Sequence, residues 1–150
     1  MIPECKKLKN VTFAGCEVDN AVVWALARHC PDLEGLNISG STQVTDEGII
    51  PLVYACRKLG YLGLAGCIGV GDHGVYSIAM KCPVMVRIAT PPDISDVSAI
   101  PLVQIPTLES ISFDTNTKIT DATLDTIIQR ARRSDWYVCI CVSLINISYI

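Results

Sequence analysis

Apolar residues recur along the chain with a period of about 26 residues. Cys30, Cys56 and Cys82 stand 26 residues apart, and each closes an apolar segment. The spacing L-x-x-L-x-L, or a close variant of it, follows each cysteine and also occurs near both ends, at 8–13, 33–38, 59–64, 85–90 and 108–113. A period of this length is typical of stacked units, because one such unit cannot bury its apolar face alone.

Each unit predicts a short strand followed by a helix. In L-x-x-L-x-L the fourth and sixth positions point inward from a strand, and the residues between them point outward. Apolar residues at helical spacing come next, as in Val44, Ile49, Leu52, Val53 and Cys56. The pattern therefore predicts an α/β fold, a leucine-rich repeat solenoid (horseshoe) with parallel strands on the concave side and helices on the convex side.

Two polar positions recur at the junction between strand and helix. The ninth position of each unit is expected to turn the chain and to bond its backbone; it holds Cys16, Ser41, Cys67, Asp93 and Asn116. The residue before each helical segment is an acid or an amide and is predicted to be the helix N-cap; these residues are Asn20, Asp46, Asp72, Asp96 and Asp121.

Prolines mark the places where the repeats are expected to deviate. Pro31 and Pro83 directly follow a cysteine and are predicted to stop two helices. Pro51 and Pro101 fall inside helical segments, where an interior proline costs about 3 kcal/mol. We therefore expect these two helices to begin near the proline and to be short. The fourth unit has only 23 residues, and its Thr-Pro-Pro-Asp segment (90–93) predicts a rigid turn.

The repeats are predicted to cover residues 1–133, as about five units of 23–26 residues. Residues 134–150 form an apolar tail, which we expect to be irregular or a partial last repeat. The tail is too short to predict a membrane span with confidence, and no uninterrupted run of about 18 apolar residues occurs. No membrane association is expected.

Composition narrows the function classes. The 150 residues include 12 basic and 15 acidic side chains, for a net charge of −3, and half are hydrophobic. This chain is too apolar for a disordered protein and lacks the basic balance of a nucleic-acid binder. The first residues show no secretory signal, so we expect the cytoplasm or the nucleus as the location.

The eight cysteines allow three interpretations. Cys30, Cys56 and Cys82 are predicted to be small buried hydrophobes where the repeats meet. A zinc site needs paired ligands such as C-x₂-C, and the close pair of Cys139 and Cys141 has an unsuitable spacing. Disulfides require an oxidising compartment, which nothing indicates. We therefore expect no metal and no cofactor.

No catalytic group stands out in the sequence. A cysteine nucleophile needs a base within reach, but His29 and Cys30 are consecutive on a helix and point in different directions. The aspartates that recur from Asp46 to Asp121 could suggest a metal site, but helix capping explains each of them, so we favour capping. We expect no catalytic residues and no enzyme activity.

Four segments carry a family resemblance: Cys-Pro-Asp-Leu-Glu-Gly-Leu-Asn-Ile (30–38), Val-Thr-Asp-Glu-Gly-Ile (44–49), Arg-Lys-Leu-Gly-Tyr-Leu-Gly-Leu-Ala-Gly-Cys (57–67) and Ile-Thr-Asp-Ala-Thr-Leu (119–124). They resemble the cysteine-containing leucine-rich repeats of F-box proteins and of the related mitotic-exit antagonists that lack an F-box. In that family the repeats hold a substrate, and the F-box recruits the ubiquitin-ligase scaffold. The resemblance implies a protein–protein interaction module that recognises substrates for an SCF-type ubiquitin ligase.

Two points about this resemblance stay open. No F-box-like helical segment precedes Leu8, so binding of the Skp–cullin adaptor is expected only if an F-box lies outside this chain. The alternative function is a structural leucine-rich repeat scaffold subunit of a cytoskeletal or organellar complex, without a ligase role.

The outward-facing strand residues are the candidate binding surface for a protein substrate or partner. Tyr61 and Arg87 project from neighbouring repeats, and these residue types are enriched in binding hot spots, although both are also ordinary on a solvent face. The residues predicted to contact the partner on the concave face are Asn10, Thr12, Asn37, Ser39, Tyr61, Arg87, Ser110, Ser112 and Asp114.

Two further groups receive structural interpretations. Trp24 and Tyr54 lie near the core stripe of their predicted helices and are expected to be packing residues. The basic residues Arg130, Arg132 and Arg133 close the last helix, where cations suit the helix dipole; we favour this role over an anion site.

Overall fold

Strands and helices alternate along the whole described chain. The computed structural model describes residues 5, 7–113, 116 and 118–133, together with the backbone of 137–139. The strands are β1 (Asn10–Thr12), β2 (Gly35–Asn37), β3 (Tyr61–Gly63), β4 (Arg87–Thr90), β5 (Ser110–Phe113) and β6 (Tyr137–Cys139). The helices are α1 (Asn20–His29), α2 (Asp46–Ala55), α3 (Asp72–Lys81), α4 (Asp96–Val103) and α5 (Asp121–Ala131).

The strands form one parallel sheet in the order β1-β2-β3-β4-β5-β6. Equivalent repeat positions lie directly opposite each other, so Leu36 pairs with Leu62, Leu62 with Ile88 and Ile88 with Ile111. Paired strands stand about 4.8 Å apart, whereas packed helices need about 8–10 Å. The stack must therefore curve with its strands inside, which makes the strand side concave and the helix side convex. The predicted solenoid is confirmed.

The hydrophobic core runs along the stack between the strands and the helices. The inward positions of the second and third strand units, from Leu33 to Leu64, are fully buried. Repeat one differs, because Leu8 is exposed and Val11 and Phe13 are only half-buried.

The three periodic cysteines are buried, as predicted. The thiol of Cys56 donates a hydrogen bond to the carbonyl oxygen of Cys30 over 3.3 Å, which links two repeats. Burial raises the pKa of Cys56 to about 11 and that of Cys82 to about 12. Both thiols therefore stay protonated and unreactive at neutral pH.

The expectation for Pro51 and Pro101 was wrong, because both helices begin five residues before the proline. Pro51 has no N–H to donate to the carbonyl of Glu47, four residues earlier. The indole Nε1 of Trp24 donates to that Glu47 oxygen instead, over 2.9 Å from the neighbouring helix. At this helix, a side chain of the preceding repeat supplies the donor that the proline lacks.

Pro31 and Pro83 behave as predicted. Helix α1 ends at His29 and α3 at Lys81, so that the cysteine directly before each proline is the C-cap. Each cap N–H still reaches the carbonyl four residues back, and the chain then turns towards the next strand.

The N-cap prediction was wrong by one residue at every helix. The N-caps are Asp19, Thr45, Gly71, Ser95 and Thr120, and all five have an extended backbone. The predicted residues come next, in the first turn, where a carboxylate suits the helix dipole. In the first four repeats their side chains instead bond the N-cap residue of the following repeat: Asn20 to Thr45, Asp46 to Gly71, Asp72 to Ser95 and Asp96 to Thr120.

The ninth repeat position bonds the backbone at three sites. Ser41 Oγ donates to the Cys16 carbonyl over 3.3 Å, Cys67 Sγ to the Ile38 carbonyl over 3.2 Å and Asn116 Nδ2 to the Ile94 carbonyl over 2.8 Å.

Repeat four departs from this pattern at the strand exit. The first three repeats turn at Gly15, Gly40 and Gly66, whose φ angles of 75–86° favour glycine. Proline cannot adopt a positive φ, so the 90–93 segment leaves the strand differently. As a result Asp93 is exposed and pairs with Lys118 at 2.5 Å instead of bonding the turn.

Arg130 has a different role from the one expected. Its guanidinium crosses to the preceding repeat and donates to the carbonyls of Val103, Ile105, Pro106 and Leu108. It therefore satisfies the C-terminal end of α4 and the loop into β5, not the end of its own helix.

The proposed tail, residues 134–150, lies largely outside the described residues. Within it β6 pairs with β5 in parallel, with Ser110 opposite Tyr137. The division into repeats and tail stays a prediction. In the described part of the chain, no helix combines the length and the apolar character needed to cross a membrane.

Candidate protein-binding face

The concave face is built from two columns of outward-facing strand residues. The first column is Asn10, Gly35, Tyr61, Arg87 and Ser110, and the second is Thr12, Asn37, Gly63, Ala89 and Ser112. The in-register parallel pairing brings these side chains into straight rows, as the alternation of strand positions predicts. Seven of the nine predicted contact residues belong to these columns, and Ser39 lies two residues beyond the end of β2. Asp114 lies outside the described residues.

Tyr61 and Asn10 flank a glycine in the first column. The Cβ position of Gly35 would lie 3.6 Å from Cδ1 of Tyr61, and the Asn10 amide would obstruct it from the other side. The absence of a side chain at Gly35 thus lets the tyrosine ring and the asparagine amide approach each other over the sheet. The ring remains 38% exposed, so its outer surface is open to a partner.

Asn37 lies over the second glycine of the face. Its Oδ1 accepts a hydrogen bond from the Ser39 N–H over 3.1 Å. A Cβ at Gly63 would come within 2.6 Å of the same oxygen and within 3.1 Å of Ser39 Oγ. Asn37 and Ser39 are therefore held in place by the local backbone, and they present a fixed polar surface instead of a smooth one.

Arg87 supplies the positive charge in the described columns. It lies opposite Tyr61 on one side and Ser110 on the other, and it is exposed. The Tyr61 ring leans over Gly35 on β2, away from Arg87. The guanidinium therefore stands beside small residues, because Ala89 and Ser112 follow in the second column. A carboxylate or a carbonyl oxygen of a partner suits this position.

The arrangement is suited to binding and offers no grouping for metal chemistry. Among the described residues, no cluster of three or more histidine, cysteine or acidic side chains could hold a metal ion. The residues of the face whose side chains are described instead combine one aromatic ring, one cation and fixed amide and hydroxyl groups.

Trp24 and Tyr54 were wrongly assigned to packing. They lie on the convex surface, 44% and 56% exposed, together with Tyr76 and Met80. Apolar residues four positions apart on a helix share a face, but periodicity alone does not distinguish an outer apolar face from a core face. For Tyr54 a signal was available, because α2 is apolar on both of its sides. That pattern is typical of a helix that packs on the core with one side and on another partner with the other.

Comparisons with known proteins support the repeat architecture. No family model matches the chain. The chain is 33% identical over 81 residues to Antagonist of mitotic exit network protein 1 of Saccharomyces cerevisiae, a match that covers 53% of this chain and 14% of that protein. The chain thus spans a small part of this curated relative.

A solved structure shares the fold over most of the chain. The tropomodulin C-terminal domain of Caenorhabditis elegans matches with a TM-score of 0.63 and 13% identity, over 87% of this chain and 86% of that one. Together, the relative and the fold support a domain of the leucine-rich repeat type that is suited to protein interaction.

Proposed function

We propose that this chain is a non-catalytic protein-recognition module that binds an extended segment of a partner protein on its concave face. The pairing of Tyr61 and Arg87 on adjacent strands carries the proposal. Parallel strands bring the two positions to about 4.8 Å from each other. The exposed ring offers apolar contact area, and the guanidinium offers charge-assisted hydrogen bonds.

The surroundings of this pair define the partner segment. The small side chain of Ala89, two residues after Arg87 on the same strand, leaves room for a partner backbone to approach the sheet. Asn37 and Ser110 can exchange hydrogen bonds with its peptide groups. We infer a partner segment with an apolar residue opposite Tyr61 and an acidic residue opposite Arg87.

The more specific role that we propose is substrate recognition for an SCF-type ubiquitin ligase. Its support is the resemblance of the cysteine-containing repeats to those of F-box proteins, together with the similarity to a mitotic-exit antagonist. Adaptor binding in this role requires an F-box outside the chain. The cytoplasm or the nucleus is the location that this role implies.

A structural scaffold is the second candidate. The exposed apolar side chains of the convex surface, such as Tyr54 and Met80, favour it, because they give the module a second surface for assembly. A scaffold would bind on both faces and would need no ligase adaptor.

Proximity labelling in cells tests the binding face. We expect the double substitution Tyr61→Ala with Arg87→Ala to lower labelling of the specific partners at least about tenfold, as loss of a hot-spot pair does. The thermal midpoint should change little, because both side chains are exposed. The matched control replaces the exposed Ile128 of α5 and the exposed residue that caps the end of this helix, Ile128→Ala with Arg132→Ala, and should label the same partners as the wild type.

The labelled proteins separate the two functions. Enrichment of the cullin adaptor and of a substrate that depends on Tyr61 supports the ligase role. Enrichment of cytoskeletal or organellar proteins without the adaptor favours the scaffold. Labelling that the double substitution leaves unchanged would remove the concave face as the binding surface.

A further inference from the structure

The convex surface of α1–α4 is unusually apolar for a solvent-exposed helix layer. We define the outer apolar face by its exposed or half-buried members on these helices, Trp24, Ile50, Tyr54, Tyr76, Met80 and Val97. Trp24, Ile50 and Tyr76 occupy one repeat position and Tyr54 and Met80 another, so they form rows across α1–α3. Val97 extends the face onto α4 from a different position. Contiguous apolar surface of this kind marks an interaction site in a soluble protein.

Two contacts show that these side chains cross from helix to helix. Trp24 Nε1 on α1 donates to the Glu47 carbonyl of α2 over 2.9 Å. Lys81 Nζ of α3 lies 4.7 Å from the centroid of the Tyr54 ring of α2. Side chains therefore bridge the groove between α1 and α2 and the groove between α2 and α3.

Helix α5 shows the contrast expected of an ordinary solvent face. Its exposed positions include Asp125 and Gln129, and Ile128 is the large apolar side chain exposed there. The apolar surface thus extends over four neighbouring helices and ends where the polar α5 begins.

Charge is divided between the two edges of this face. The edge where the helices begin is acidic; in the first three repeats it carries Glu17, Asp19, Asp46, Glu47 and Asp72. The edge where the helices end is basic overall and carries Arg28, Arg57, Lys58 and Lys81, of which Lys58 pairs with Asp32 at 2.7 Å. A partner that fits must present apolar area between a basic and an acidic edge. The outer apolar face of a second copy has this combination.

The charge pattern also selects the arrangement of two such copies. Face-to-face contact allows a twofold axis along the helices or along the stack. An axis along the helices would place acidic edge on acidic edge and basic on basic. An axis along the stack makes the facing helices antiparallel and places each acidic edge over a basic one. We propose that the outer apolar face is the contact surface of a symmetric homodimer with antiparallel facing helices.

The dimensions fit a reversible dimer. A helix of 10 residues is about 15 Å long, and four helices spaced by about 8–10 Å span about 40 Å. The face therefore covers on the order of 600 Å² per copy. Because it is convex, two copies touch mainly at its central helices, so the interface is smaller than a standard one and we expect a weak dimer. In such a dimer the two concave faces point away from each other, so each remains open to its own partner segment.

Sedimentation equilibrium of the full chain over about a hundredfold concentration range tests the dimer. We expect a concentration-dependent dimer in the wild type and a dissociation constant raised at least tenfold by Met80→Glu. Ile128→Glu is the matched control, because Ile128 and Met80 are 48% and 51% exposed, and it should leave the dimer unchanged. If Met80→Glu does not fold, Tyr54→Ser, at a 56% exposed position, serves as the second variant.

Charge reversal tests the antiparallel arrangement. Glu47→Lys and Arg57→Glu should each weaken the dimer, because the start of α2 faces the end of α2 in the other copy. The two substitutions together should restore it, since opposite charges are then paired again. A protein that stays monomeric over the whole range overturns the proposal. So does association that is insensitive to both Met80→Glu and Tyr54→Ser, and so do single reversals that strengthen the dimer.

Discussion

The first and second halves of the solenoid connect neighbouring helix starts at the same repeat position, but with different chemistry. In the first half Asp46 Oδ1 accepts a hydrogen bond from the Gly71 N–H over 2.8 Å. A Cβ at Gly74 would lie 2.5 Å from that oxygen, so the glycine leaves room for the carboxylate. Asn20 and Gly48 repeat this arrangement one unit earlier.

In the second half a hydroxyl replaces the glycine. Asp72 accepts hydrogen bonds from the Ser95 N–H over 2.8 Å, from Ser95 Oγ over 2.6 Å and from Ser98 Oγ over 2.5 Å. Asp96 similarly accepts from Thr123 Oγ1 over 2.6 Å. Ser98 and Thr123 occupy the repeat position of Gly74. Their hydroxyls donate to the carboxylate, whereas Gly74 only leaves room for it.

In the second half these contacts also affect the acidity of the carboxyl groups. Burial alone would raise the pKa of Asp72 and Asp96, but the hydrogen bonds from the following repeat outweigh it and lower both pKa values. These bonds stabilise the charged form, so ionisation of the two groups is linked to folding. The second half of the stack therefore depends more on its carboxylates than the first half does.

Removing the carboxylates should give the largest difference between the halves. Asp72→Ala leaves one N–H, the half-buried hydroxyl of Ser95 and the buried hydroxyl of Ser98 without their acceptor. We expect a loss of about 2–3 kcal/mol in the free energy of unfolding. Asp46→Ala loses one such bond and should cost about 1 kcal/mol. Urea unfolding at neutral pH measures both.

The control for this pair is Asp125→Ala, at an exposed position of α5 outside these contacts, and it should change little. Equal losses for Asp46→Ala and Asp72→Ala would show that the extra hydroxyls contribute nothing, and the comparison between the halves would then be wrong.

The second-largest effect is expected from acid, which should lower the stability of the second half. Because the folded pKa values of Asp72 and Asp96 lie below their ordinary values, their contribution is complete above about pH 4 and is lost as the pH falls below it. We expect the free energy of unfolding to fall with acidification, and to fall less steeply in Asp72→Asn than in the wild type. Urea titrations at a series of pH values measure the slope. Asp125→Asn should keep the full wild-type slope, and an unchanged slope in Asp72→Asn would contradict the linkage.

The local repeat pattern predicts the strands well, while contacts between repeats are beyond its reach. L-x-x-L-x-L specifies which residues face inward, so the rows of the concave face follow directly. The role of Asp46 does not, because its partner lies 25 residues away in the next repeat. The same holds for Pro51, whose effect is offset by Trp24 from the preceding repeat.

The candidate binding face shows the same limit. Alternation along the strands places Asn10, Gly35 and Tyr61 in one column. It does not show that the asparagine and the tyrosine close over the glycine, because that depends on side-chain packing across strands. Hydrophobic periodicity also treats Trp24 and Tyr54 as core residues, since it records apolar character and not which side of the helix is already covered.

Replacing Gly74 by serine should convert the Asp46 contact of the first half into the kind of contact that Asp72 makes in the second half. We expect the smallest effect of the three predictions here. Gly74→Ala gains about 1 kcal/mol of helix propensity but displaces Asp46 from the Gly71 N–H, which costs about as much, so little net change is expected. Gly74→Ser adds a hydroxyl that can donate to Asp46, as Ser98 donates to Asp72. We expect it to be more stable than Gly74→Ala by about 0.5–1 kcal/mol in urea unfolding. In an Asp46→Ala background the hydroxyl loses its acceptor, so the advantage of serine should disappear; an advantage that persists there would mean that it does not come from this contact.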